Sequence, residues 1–132
     1  MKRLIDSCIL IDHFNGITQA TVYLKAHRDE SYISVITKAE VLIGFDDDNS
    51  FEKAGELLSH FPLIDLDVNI TDLVIQIRRE QIKKKATKQP NKKVIQWKLP
   101  DAIQAAIALY YNLKLVTRNT QQHPFSEIPY TI

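Results

Sequence analysis

The chain has 132 residues, 45% hydrophobic and 25% charged, proportions that predict one globular domain over 1–132 with a core of its own. No run free of Asp, Glu, Lys and Arg exceeds 12 residues, which excludes a membrane-crossing helix. The single cysteine, Cys8, excludes an intrachain disulfide and a four-cysteine zinc site and fits a reducing, cytoplasmic setting.

In chain order, residues 2–6 predict a short strand, with Ser7 turning into a helix near 8–14. Lys2 and Arg3 ahead of an apolar stretch have the look of a secretory leader, but Asp6 and Asp12 interrupt it and the reading is rejected. ITQATVYLKAHR (17–28) has helical apolar spacing, and SYISV (31–35) reads as a strand. Thr37 is expected to open a helix, TKAEVLIGF, that ends near Gly44. Asp46–Asn49 is expected to be a solvated turn, since it lacks the spacing and later Glu of a calcium loop. Ser50 is the expected cap of the helix FEKAGELLSHF, and LIDL after Pro62 is strand-like.

Asp65 and Asp67 lead into a long helix, VNITDLVIQIRREQIKKK, with Asp67 as its N-cap and its cations at the C-terminal end, where the helix dipole favours them. A loop containing Pro90 follows. Pro100 is placed at a first helical position ahead of DAIQAAIALYYN, a helix apolar on most sides and so expected to be buried. KLVT is a strand, and YTI at the end is read as a further one. Strands alternating with helices predict a parallel sheet covered on both faces.

The apolar opening LIDSCILID contains a carboxylate, Asp6, and a buried unpaired charge is costly. In a parallel sheet, ligands gather beyond the carboxyl ends of the strands. Asp6 lies at such an end, Glu40 in the helix after the second strand, Asp101 at the start of a helix, and Thr117, Arg118 and Asn119 just after KLV. Each residue also has a structural reading. Asp6 suits a helix cap, Thr37 and Glu40 have the Thr-x-x-Glu spacing of a capping box, Asp101 suits the first turn of a helix, and Asn119 suits a turn. Caps, however, do not require three carboxylates to share one sheet edge. Together the acids form a hard oxygen set suited to Mg²⁺ or Mn²⁺ rather than zinc, chemistry that activates water and neutralises a phosphodiester.

LIDSCILIDHFNG, SYISVITKAEVLIGF and KLPDAIQAAIALYYNLKLVTRN, in that order and spacing, resemble a PIN domain of the VapC type found in bacterial toxin–antitoxin pairs, over residues 2 to about 119. The resemblance implies a three-layer α/β/α sandwich with a central, mainly parallel sheet. It implies a metal-dependent ribonuclease acting on an RNA substrate, a homodimer, and inhibition by a cognate antitoxin. It assigns Asp6, Glu40 and Asp101 as catalytic, metal-binding acids, Asn119 to the metal, and Ser7 and Thr117 to support of the site. The family often has another Asp soon after the Thr-x-Asn motif. Here Gln122 and His123 stand there and the next acid is Glu127, which leaves one ion or two open.

Segment 78–98 holds nine Lys and Arg against Glu80 alone, a net +8 that leaves −7 for the rest of a chain of formal charge +1. Such a stretch attracts phosphate. Within or near it, Trp97, Lys98 and Arg118 are candidate RNA contacts, Trp97 by stacking on a base; a solvated helix end and a packed Trp are the structural alternatives. Asp12 is expected to be paired or solvent-facing, and His13, His27, His60 and His123 to be structural or exposed. A haloacid-dehalogenase-like phosphotransferase would want an Asp where Cys8 stands. The alternative from another class is a non-catalytic, partner-binding PIN-like module with a degenerate metal site, favoured by the missing late acid.

Overall fold

The computed structural model describes residues 2–87, 98–118 and 126–132. Strand β1 (Arg3–Ile5) leads into helices α1 (Ser7–Phe14) and α2 (Thr18–Ala26). A 3-10 turn, Arg28–Glu30, then precedes β2 (Ser31–Ser34), α3 (Val35–Ile43), α4 (Asp48–Leu58) and β3 (Leu63–Ile64). Helices α5 (Val68–Thr87) and α6 (Leu99–Tyr111) follow, then β4 (Lys114–Val116) and β5 (Ser126–Glu127). Among the described residues the strands form one sheet, ordered β3-β2-β1-β4-β5, with every pair parallel.

Alternation along the strands feeds two cores, because successive side chains leave a strand on opposite faces. Leu4 and Leu115 join Ile70, Val74, Ile103 and Ile107 beneath α5 and α6. Ile5 and Val116 join Ile9, Leu10, Leu24, Val41 and Leu58 beneath α1 to α4. Leu4, Ile5 and Val116 are fully buried, as expected of strands covered on both sides. The three layers are therefore helices, parallel sheet, helices. Among the described residues no helix is long and apolar enough to cross a membrane.

The chain builds outward from β1 to β2 and β3, then returns to place β4 on the other flank of β1. That reversal opens a crevice at the carboxyl ends of β1 and β4. Register fixes the crevice closely: Ile5 pairs with Val116, and the Asp6 amide donates to the Val116 carbonyl at 3.0 Å. Small residues bring α6 close. Ala102, Ala105, Ala106 and Ala108 are all buried, around Ile103 and Ile107.

Several expected boundaries move, each for a local reason. Helix α3 begins at Val35, because Ser34 caps it by accepting from the Thr37 amide at 3.1 Å. Thr37 is therefore inside the helix, and the proposed Thr37–Glu40 capping box does not form. Asp47, not Ser50, caps α4, accepting from the Ser50 amide at 2.9 Å. Helix α6 begins at Leu99 after Lys98, which makes no side-chain capping bond, so Pro100 is the second helical residue. Residues 130–132 form no strand; Ser126–Glu127 supplies β5. Asp67 does cap α5, accepting from the Ile70 amide at 2.9 Å.

Asp12 is buried and paired. Its carboxylate accepts two hydrogen bonds from the Arg118 guanidinium and one from the Tyr130 hydroxyl at 2.7 Å. These contacts tie α1, the end of β4 and the final residues together. The Arg118 hydrogen bonds hold the Asp12 carboxyl below its ordinary value. A depressed acid contributes stability at neutral pH that is lost as pH falls below the unfolded carboxylate value of about 4. Asp12→Asn is expected to cost about 1–3 kcal/mol at pH 7 and to show a smaller further loss than the native chain between pH 4 and 3, measured by urea denaturation at each pH.

Candidate active site

At the carboxyl edge of β1 and β4 lies a cavity of about 300 Å³ lined by Asp6, Ser7, Cys8, Glu40, Pro100, Asp101, Gln104 and Arg118. Three elements deliver the acids. Asp6 follows β1, Glu40 stands on α3, and Asp101 on the first turn of α6. All three expected carboxylates thus border one space, despite separations of 34 and 61 residues along the chain.

Asp6 is held on both oxygens. Its Oδ1 accepts from the Ser7 amide at 2.9 Å, which caps α1, and from Gln104 Nε2 at 3.3 Å. Its Oδ2 accepts from Thr117 Oγ1 at 2.8 Å. The capping and functional readings of Asp6 therefore coexist. Thr117 is buried beside Cys8, whose Sγ lies 3.6 Å from Thr117 Oγ1. The Ser7 hydroxyl turns to Glu40, donating to its carboxylate.

Burial pushes the Glu40 carboxyl up, and the charges of Asp6 and then Asp101 add to the rise, while the Ser7 hydrogen bond opposes it. Asp101 is likewise raised by burial first and Asp6 second, with Lys98 opposing. Arg118 borders the cavity, yet its charge is engaged by Asp12. Burial, then Asp6, pushes the Cys8 thiol up.

The acids share a cavity but do not close into a ligand cage: among the described residues no group of three His, Cys, Asp or Glu side chains converges enough to hold a metal ion. Lys98 is exposed at the start of α6. Asn119, Trp97, Gln122 and His123 lie outside the described residues. His13, His27 and His60 take local partners: Thr21 at 2.7 Å, Glu30 at 2.7 Å and Arg28 at 3.1 Å.

Sequence reasoning missed Gln104, which is 2% exposed and bonded to Asp6. The available signal was a lone amide in the otherwise apolar turn AIQAAIA, since a buried amide needs partners. It also missed that Tyr130 completes the Asp12–Arg118 pair.

A family model for the PIN domain matches residues 3–128, and the chain belongs to that family. Its fold is that of VapC-type toxins. A chain of a toxin–antitoxin complex from Klebsiella pneumoniae is 32% identical, with a TM-score of 0.81 over 99% of this chain and 100% of that one. A chain of DNA-bound VapBC from Salmonella typhimurium is 21% identical, with a TM-score of 0.70 over 96% and 97%. One of VapBC2 from Rickettsia felis bound to a promoter DNA fragment is 21% identical, with a TM-score of 0.67 over 90% and 88%. The comparison with curated proteins returned no match. Family membership implies a nuclease, and PIN nucleases generally use divalent metal ions.

The raised carboxyls set a sign for stability. In metal-free solution the folded chain takes up protons at Glu40 and Asp101 more readily than the unfolded chain. These groups therefore cost stability at neutral pH, and the cost is relieved as pH falls through their folded values. Relative to a Glu40→Gln/Asp101→Asn variant in chelator, the native chain is expected to gain about a degree or two in melting temperature between pH 7 and about pH 4, where the unfolded carboxyls begin to titrate. Differential scanning calorimetry of both proteins checks this.

Proposed function

We propose that this PIN-domain chain is the toxin of a toxin–antitoxin pair and an endoribonuclease dependent on Mg²⁺ or Mn²⁺. The observation that carries the reading is the convergence of Asp6, Glu40 and Asp101 on one cavity. The donor set suits a hard divalent cation, because the residues lining the cavity offer three carboxylates and no imidazole. Glu40 and Asp101 raised partly by the Asp6 charge are the signature of excess negative charge that a cation relieves.

Asp6 and Asp101 would hold the ion, with Glu40 binding directly or through water; Asn119 belongs to the same set by the family motif. When bound, the ion supplies a Lewis acid for the phosphodiester and lowers the pKa of the attacking water. Glu40, with its raised carboxyl, is suited to accept a proton from that water. Thr117 and Ser7 orient Asp6 and Glu40. The cationic end of α5, Lys83 to Lys85, and Lys98 ahead of α6 supply charge for the RNA backbone.

The solved neighbours are toxin–antitoxin complexes, which supports an antitoxin as the protein partner. Exposed Ile43 and Val68 and half-exposed Tyr110 and Tyr111 leave apolar surface for a partner or a second copy.

Asp101→Asn is expected to lower RNA cleavage by about a thousandfold or more while the far-UV spectrum and melting temperature stay near native. Cleavage assays on total RNA, with Mg²⁺, Mn²⁺ or chelator, check this. A native chain that binds a cognate antitoxin but neither ions nor cuts RNA would replace this reading by the non-catalytic module.

A further inference from the structure

The Gln104 side chain, carried on α6 with Asp101, bonds to the elements that carry the other two acids. It sits one turn after Asp101 on α6. One of its amide hydrogens goes to Asp6 Oδ1 at 3.3 Å. The other goes to Thr37 Oγ1 at 2.8 Å, one turn before Glu40 on α3. Residues three apart on a helix share a face, so this bond joins α6 and α3 a single turn from each of their carboxylates. Its carbonyl oxygen accepts from Ser34 Oγ at 2.7 Å, and the Asp6 carboxylate, which only accepts, requires the Nε2 end to face it. Ser34 itself caps α3. Ser34, Thr37 and Gln104 are all buried, so water does not compete for these bonds.

We propose that Gln104 is a positioning residue that sets the mutual spacing of Asp6, Glu40 and Asp101 and thereby the affinity of the site for a divalent cation. The inference rests on the metal-dependent reading above. Through it, the carboxylates reach the cavity from three elements whose separation is set by one amide rather than by the ion. A donor at this position is essential to the role. A methionine of similar volume fills the space without a hydrogen for Asp6, and a glutamate would set a second carboxylate oxygen against Asp6 Oδ1.

The test is calorimetric titration of the full chain with Mn²⁺ alone, with no RNA present, for the native protein, Gln104→Met and Thr37→Val. Thr37→Val keeps Gln104 and removes only one of its acceptors, so it remains informative if Gln104→Met folds poorly. The expected result is Mn²⁺ affinity about 10–100-fold weaker in Gln104→Met, and a smaller loss in Thr37→Val. In cleavage assays the Mn²⁺ concentration for half-maximal rate should rise by a similar factor, with KM for RNA near native. A purely structural role for Gln104 would lower the melting temperature without moving the ion requirement. Folded variants that bind Mn²⁺ as tightly as the native chain overturn the inference and leave the metal reading standing. A native chain that binds no Mn²⁺ overturns both.

Discussion

Three carboxylates bordering one cavity at the carboxyl edge of the sheet repel each other, and holding them there is the constraint around which the rest of the site is built. Asp6 is satisfied on both oxygens by the Ser7 amide, Thr117 and Gln104. Glu40 receives the Ser7 hydroxyl. Arg118, the nearest guanidinium, is drawn to Asp12 rather than left to quench the cluster. The charge is thus kept in place, and burial together with the neighbouring acids holds the Glu40 and Asp101 carboxyls up.

The backbone supplies the location and the side chains the precision. A parallel sheet must bury both faces, and the return of the chain to β4 after β3 leaves a crevice where Asp6 and Thr117 come side by side. Asp101 arrives because α6 packs closely through its buried alanines, and Glu40 because Ser34 caps α3 three residues earlier than the Thr37 spacing suggests. Had the helix opened at Thr37, Glu40 would have been occupied at the helix terminus as a capping side chain.

Much of this was legible from the residues. Alternating strands and helices, the apolar strand residues and the Pro at the start of α6 predicted layers and element order, and acids placed after the first two strands and at a helix start predicted a shared edge. What stayed hidden depends on contacts between distant residues. Asp12 reads as a helix-face acid until Arg118, 106 residues away, meets it. The last strand lies at Ser126–Glu127 rather than YTI because pairing with Leu115 and Val116, not β propensity, chooses the segment. Gln104 carries no sequence motif; its meaning comes from the three partners that surround it.

The alanines of α6 have a consequence for how this chain loses activity. They are buried, and overfilling a packed seam shifts backbones. A substitution at Ala105 or Ala106 would tilt the helix and swing its first turn, moving an acid it never touches. Selection for harmless variants would therefore gather mutations along a stripe of the smallest residues, well away from the chemistry.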